Sequence, residues 1–507
     1  MLLYLSMGKT SIEILNEELI VNGMEELKDV DPCIERTRYI GFLMSADLGK
    51  KEDIKRLASL KIAYLLQFHT RIASVYPYLL FEQGEDKIYW NYNHETGVYD
   101  EMNFSTVRGL ILKLLIDDEM TDKATEVTAK TVLARYRSIY KNRGVLYKQF
   151  DNNDNWFHCK NGWINVVTMV FEAHTPERLS RRVSHVNYNK EATCPVYNNF
   201  LDTQIQLPTD QVRVIDQFSG LLLTPDITKQ KMLVLVGNPG CGKSTLLDLW
   251  SDVLGECSTQ RGLNEINSES FRFGGSSLAG KTLCWFDEVE VTRSNMGNSL
   301  IKLITGQHID VERKGINGIT QYPNQLKCVL TANTLPRSAE MGIYRRMILI
   351  YLTYSFYDNL TDNKKIRKML QDESSGVFNR MLKGLQDLNK NSGFTSIEGH
   401  DDLVEEYKTD SNTVAEFLDT HFVFDYEAPK ISVRTILEAY KIFADDKFSN
   451  SLTPQKFSSM MKRHGLKKFD KISVVRGSAG IRMWIGLKLK TEFELNQNGF
   501  IREKKDF

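Results

Sequence analysis

The chain has 507 residues, room for two to four domains, and its 65 basic and 65 acidic side chains cancel, so only the local placement of charge can mark a partner. Its seven cysteines stand singly with no CxxC pair and its nine histidines are dispersed, which excludes a disulfide scaffold and a zinc ribbon and fits a reducing compartment. The start, Met1-Leu-Leu-Tyr-Leu-Ser, lacks a basic n-region, and no stretch reaches the length of a membrane span, so the expectation is a soluble cytoplasmic protein with no membrane partner.

Residues 1–84 carry helical periodicity with mixed charge (Ile12, Leu15, Leu19; then Leu57, Leu60, Leu65) and predict a helical N-terminal region of no evident role. Residues 85–228 mix helices with short strand patterns such as Lys87-Ile-Tyr-Trp-Asn-Tyr92. Residues 229–354 hold most of the chemistry. An apolar run, Met232 to Val236, reads as a buried strand, and Leu246, Leu247, Trp250, Val253 and Leu254 then recur at helical spacing until Gly255. Between them lies Gly237-Asn238-Pro239-Gly240-Cys241-Gly242-Lys243-Ser244-Thr245, a full GxxxxGK[ST] pattern. Such a loop turns successive backbone N–H groups, and the positive end of the helix after it, onto nucleotide phosphates. Lys243 would reach the β/γ oxygens of ATP and Ser244 would sit on Mg²⁺. A chance glycine turn is the bland alternative, and the flanking strand and helix argue against it.

A phosphate loop needs acids at the end of a neighbouring buried strand, and Thr282-Leu-Cys-Trp-Phe-Asp287-Glu288 supplies two. Asp287 is assigned to the metal and Glu288 to the attacking water. A third strand, Leu326-Lys-Cys-Val-Leu-Thr-Ala-Asn333, ends in an amide that could orient water or sense the γ-phosphate; an Asn there is also a common turn former. Arg345 and Arg346 precede a fourth strand, Met347 to Tyr351. One of them could reach a neighbouring subunit's nucleotide in trans, although a pair of arginines by itself is usually surface charge.

In this order and spacing the four elements resemble the superfamily 3 helicases of the AAA+ class. They are most similar there to the phage, poxvirus and pathogenicity-island primase–helicase family, particularly its replication-initiator (Rep-type) members. The specific mark is Lys302-Leu-Ile-Thr305-Gly306-Gln-His-Ile-Asp310-Val-Glu-Arg313-Lys314-Gly315, followed by the Asn333-x-Leu-Pro336 ending. Upstream, Asn161-Gly-Trp-Ile-Asn165, Thr175-Pro-Glu-Arg178, Ala192-Thr-Cys-Pro195 and Phe218-Ser-Gly220-Leu are similar to the module before this family's helicase core. The resemblance covers about residues 85 to 490. It implies an AAA+ P-loop core with a parallel sheet at 229–354, a helical segment at 355–411, and Arg346, ahead of Arg345, as the trans finger. It further implies a homo-hexameric ring that unwinds DNA 3′ to 5′ and initiates replication of a phage or mobile element. Arg313 and Lys314 would sit on a channel hairpin gripping single-stranded DNA. No primase module is legible, so a separate primase and host replication proteins are the expected partners.

Residues 412–507 change character. From Lys430 to Lys490 there are 14 Lys/Arg against 4 Asp/Glu. The order is a helix (433–444), a helix (454–464) with Thr453 as N-cap, and two strand-like runs joined by Gly477-Ser-Ala-Gly480, the order of a winged-helix DNA-binding domain. Lys456, Lys462, Arg463, Lys467 and Lys468 would contact phosphates of duplex DNA, and Gln455, Ser458 and Ser459 could read bases. A basic domain used for protein contacts is the alternative. Three functions compete. They are an unwinding ring, an origin-binding initiator whose ATPase only switches assembly, and a protein-remodelling machine, for which aromatic pore residues would suit better than Arg313-Lys314.

Overall fold

The computed structural model describes residues 32–47, 49–84, 87–266, 275–287, 298–312, 319–333, 335, 341–353, 360–410, 413–425, 427–447, 457, 461, 473–476, 482–490, 493–495 and 501–503. The chain forms two compact units, one of Met1–Asp151 with His174–Arg181 and the other of Asn152–Ala173 with Arg182–Phe507. Among the described residues no helix is long and apolar enough to cross a membrane.

In the first unit, helices α1 (Pro32–Ser45) and α2 (Lys51–Val75) precede strands β1 (Leu80–Glu82), β2 (Ile88–Asn93) and β3 (Val98–Asn103), helices α3 (Phe104–Asp117) and α4 (Glu126–Ile139), and the short β4 (Gly144–Val145). The sheet order is β3-β2-β1-β4. Tyr39, Tyr64 and Phe68 of α1 and α2 share one core with Tyr89 of β2, Ile111 of α3 and Tyr136 of α4. The boundary expected at residue 84 therefore runs through a single core: the apolar stripes of α1 and α2 are covered by the strands and helices that follow. Within this unit Arg181 pairs with Asp151 at 2.7 Å and lies 4.1 Å over the Tyr147 ring, so both buried charges are satisfied as burial requires.

The second unit opens with an antiparallel sheet of β5 (Trp156–Cys159), β6 (Gly162–Asn165) and β7 (Phe171–Glu172), then helix α5 (Thr209–Leu221). A parallel sheet follows, formed by β8 (Met232–Gly237), β9 (Ser258–Gln260), β10 (Leu283–Phe286), β13 (Lys327–Ala332) and β14 (Met347–Leu352), in the order β14-β8-β13-β10-β9. Every residue of β10 and β13 is buried, which is why these strands read as continuous apolar runs rather than alternating ones. Helix α6 (Lys243–Leu254) packs Leu246, Leu247 and the fully buried Trp250 onto the sheet, each such side chain contributing roughly 1.5–3 kcal/mol.

Helix α7 (Asn298–Ile304) and the antiparallel pair β11 (Ile309–Val311) and β12 (Thr320–Tyr322) lie in sequence between β10 and β13. After β14 come α8 (Leu360–Asp372) and α9 (Ser374–Lys390). Helix α9 lies against α5 with backbones almost touching. A Cβ on Gly220 would meet Leu385 N at 2.3 Å, and one on Gly384 would meet Asp216 O at 2.0 Å. Sequence on both sides of the parallel sheet thus closes into one core, and the module expected at 85–228 is divided between the two units.

The C-terminal elements are α10 (His400–Asp410), α11 (Thr413–His421), β15 (Phe422–Asp425), β16 (Ile431–Ser432), α12 (Val433–Lys447), β17 (Ser473–Arg476) and β18 (Arg482–Leu489). Both β16 and β17 pair antiparallel with the first half of β18, and β15 pairs with its second half. Phe417, Tyr440, Phe457, Met461 and Trp484 form the core of this part. The basic residues expected to contact phosphates, Lys456, Lys462, Arg463, Lys467 and Lys468, lie outside the described residues, as do Gln455, Ser458 and Ser459.

Candidate nucleotide site at the carboxyl edge of the parallel sheet

Strand β8 ends at Gly237, where a side chain would collide with Leu352 O at 2.3 Å and with Cys241 Sγ at 2.8 Å. The chain turns through Asn238, Pro239 and Gly240, all exposed, and enters α6 at Gly242, whose φ of 93° is left-handed and costs glycine little. No side chain caps the amino terminus of α6. Its first N–H groups therefore face the loop at the positive end of the helix dipole, together with Ser244 and Thr245.

Lys243 is 6% exposed. Its ammonium donates to Gly237 O at 2.5 Å, to Asn238 O at 3.1 Å, to the Asn333 side-chain oxygen Oδ1 at 3.2 Å and to Cys241 Sγ at 3.5 Å. A buried cation survives only with such acceptors around it. Asn333 reaches it because β13 is inserted between β8 and β10: Val234 pairs with Leu330, and Leu330 with Phe286. The same register brings Asp287, one residue beyond β10, beside Thr331, whose hydroxyl donates to Asp287 Oδ1 at 2.6 Å. Lys243, Asn333 and Asp287, three residues expected in the site, thus meet at one edge of one sheet. Glu288 lies outside the described residues.

Two contributors had not been expected. Thr331 is one; its signal was a hydroxyl inside an otherwise aliphatic stretch of buried strand. The other is Asp248, one helical turn beyond Ser244, which pairs with Arg367 of α8 at 2.5 Å. Burial raises the Asp248 carboxyl, Arg367 opposes that, and the charges of Asp252 and Asp287 add to it. The i, i+4 spacing from Ser244 was the available signal.

The arginines lie elsewhere. Arg346 O accepts from Met232 N at 2.8 Å, and Arg345 O accepts from the Lys231 ammonium at 2.8 Å. Both therefore sit at the amino edge of the sheet, a strand length of about 20 Å from the loop. Arg346 is 8% exposed and donates to Gly342 O at 2.5 Å, and burial first, then Arg345, lowers its pKa. Arg345 is exposed. The hairpin expected around Lys314 has its two strands, with Ile309 paired to Tyr322 and Val311 to Thr320. Arg313 and Lys314 themselves lie outside the described residues, as does Pro336. Thr305, part of the Thr-Gly mark, bonds its hydroxyl back to Ile301 O at 2.8 Å at the end of α7.

Residues 74–206 match a family model described as D5 N terminal like, and residues 235–346 match a family of unknown function, DUF5906. The second match spans the phosphate loop, Asp287, Asn333 and both arginines. No curated protein matches the chain. Among solved structures the chain is similar to the A-form apo structure of the NrS-1 C-terminal region, at 14% identity and a TM-score of 0.47 over 81% of this chain and 96% of that one. A second A-form structure of that region gives 13% identity and a TM-score of 0.47 over 80% and 96%. A further apo structure of the region gives 15% and 0.46 over 81% and 96%.

Proposed function

We propose that the chain hydrolyses ATP with Mg²⁺ in a ring of identical subunits, a homo-hexamer by family resemblance, and uses that hydrolysis to unwind DNA as the replication protein of a phage or mobile element. The observation that carries the nucleotide part is the Lys243–Asn333 contact beside Asp287, above an uncapped helix terminus. Phosphate oxygens would replace the carbonyls that now surround the Lys243 ammonium, with the amides of 240–244 completing the cradle. Ser244 and Asp287 would hold the cation, phosphate and water supplying the remaining ligands; among the described residues there is no cluster of three or more metal-ligating side chains to compete with it. The bound cation neutralises charge on the leaving phosphate. Glu288 would polarise water, and Asn333, relieved of Lys243, would orient it.

The placement of the arginines supports the ring reading. Neither can reach its own chain's phosphate loop from the opposite edge of the sheet, so either would serve the nucleotide of the next copy. Exposure favours Arg345 for that reach, with the buried Arg346 shaping the strand end that presents it. This reverses the order expected from sequence. The DNA part is supported by the β11–β12 pair, whose connecting residues include Arg313 and Lys314, and by the C-terminal part. There α11 and α12, with β15, β16 and β17 all paired to β18, support the reading of a winged-helix domain that would bind duplex DNA.

The deciding experiment compares Lys314→Ala with wild type in ATPase assays with and without single-stranded DNA, and in separation of a forked duplex. The expected variant keeps basal hydrolysis and loses both stimulation and unwinding. A variant that unwinds like wild type removes the channel assignment. ATPase activity indifferent to DNA in the wild type instead favours an origin-binding initiator whose hydrolysis only switches assembly.

A further inference from the structure

We infer that Thr331 is a positioning residue for the cation side of the site, fixing the plane of the Asp287 carboxylate; this rests on the MgATP reading above. Strand β13 runs Lys327-Cys-Val-Leu-Thr-Ala332 and is buried at every position. Its neighbours β8 and β10 fill the corresponding interior with apolar side chains. A hydroxyl at such a place costs desolvation unless it is bonded. Thr331 is 0% exposed, and its Oγ1 stands 2.6 Å from Asp287 Oδ1 and 3.5 Å from Phe286 O. A single O–H donates well to one of these, and the shorter, charge-assisted bond to the carboxylate wins.

Two features make this bond directional. Threonine is β-branched, so its χ1 is restricted on a strand and the hydroxyl cannot swing away at low cost. The strand it stands on is held by parallel neighbours on both sides, Leu330 being paired with Val234 and with Phe286. Asp287 sits just past the end of its own strand, and the Thr331 hydroxyl gives its carboxylate a donor from the neighbouring strand. The charge that would attract the cation belongs to Asp287; Thr331 holds one oxygen of that carboxylate in place. An orienting partner of this kind typically changes metal affinity about 10- to 100-fold when removed. It leaves contacts to the phosphates alone, because those would come from the loop and the amino terminus of α6.

The test uses the full chain and the nearly isosteric Thr331→Val, with Thr331→Ser as the variant that keeps the donor. Three quantities are read: the Mg²⁺ concentration giving half-maximal ATP hydrolysis, ATP binding in excess EDTA, and the Mn²⁺ EPR spectrum with ATP bound. Thr331→Val should raise the half-saturating Mg²⁺ about tenfold or more, broaden the Mn²⁺ spectrum, and leave binding in EDTA and thermal unfolding near wild type. Thr331→Ser should restore most of the Mg²⁺ response. A Mg²⁺-dependent wild type matched by Thr331→Val overturns the inference alone. So does equal loss of binding with and without Mg²⁺, which would mark a folding role. A wild type indifferent to Mg²⁺ overturns the MgATP reading, and this inference with it.

Discussion

At the carboxyl edge of the parallel sheet, an ammonium, an amide and a carboxylate converge within hydrogen-bond reach of one another or of a shared strand. At the amino edge of the same sheet, two arginines and a fully buried lysine are spread along the starts of β13 and β14. The first arrangement can assemble around a ligand within one chain. The second cannot, because the strands that carry its arginines hold them a full strand length from the loop. On the proposed function, one sheet offers half a site at each end, and a neighbouring copy would join the halves.

The largest effects should come from the loop. Lys243→Ala removes the cation that faces the phosphates, so ATP binding should weaken and hydrolysis fall to background. Glu288→Gln should bind ATP and hold it, with hydrolysis reduced roughly 10²- to 10⁴-fold, the usual worth of a positioned base. A Glu288→Gln protein that turns over at the wild-type rate would reassign the water.

The amino edge should show its effect only between subunits. Arg345→Ala should bind ATP and assemble while losing on the order of 10³ in hydrolysis. Mixed with Lys243→Ala, it should regain part of the activity, since some neighbours then pair an intact loop with an intact arginine. Recovery in mixtures of Arg346→Ala but not of Arg345→Ala would hand the finger to Arg346. Absence of recovery from either, with co-assembly verified, would break the comparison.

Removing residues from 412 onward should spare basal ATPase and abolish tight binding to duplex DNA. In the intact chain that affinity should fall with salt at a slope of about 0.9 per neutralised phosphate. Duplex binding that survives the truncation would move recognition to the first unit.

The smallest effect belongs to the buried lysine of the amino edge. Lys327 is 3% exposed and donates to Thr224 O and, at 3.0 Å, to Gln325 O. Burial pushes its ammonium down to about 7, against the pull of Asp226. In the unfolded chain a lysine titrates near 10.4, so between about 7 and 10.4 the unfolded state holds a proton that the folded state has released. Stability should therefore rise with pH across that window. Thermal unfolding of wild type and Lys327→Met from neutral to alkaline pH measures this. The wild type should gain on the variant as pH climbs, and parallel curves would show that Lys327 stays charged when folded.

How far the sequence carried these conclusions differs from residue to residue. Gly237 to Thr245 was legible because a phosphate loop is local: its glycines, lysine and flanking apolar runs lie in one short stretch, and short-range sterics dictate the turn. The strands β8, β10, β13 and β14 were legible because burial leaves a long apolar run, whereas β9, the polar and partly exposed Ser258-Thr-Gln260, gave no such signal. The hairpin around Lys314 was implied by the family resemblance of the Thr305 to Gly315 segment, and its strand bounds, 309–311 and 320–322, came only from the structure.

Tertiary structure decided the rest. Nothing local says that β13 is inserted between β8 and β10, yet that order brings Asn333 onto Lys243 and turns Thr331 from a strand residue into a partner of Asp287. Nothing local says that Gly220 lies against the backbone of Leu385, and Gly384 against that of Asp216, closing one core over the boundaries drawn along the chain. Composition likewise could not rank Arg345 and Arg346, because adjacent residues on one strand end share a sequence context and differ only in which side the fold covers. Sequence fixes what each segment prefers locally. Which segments become neighbours, and which side chain of a pair stays in water, is settled by packing among residues far apart in the chain.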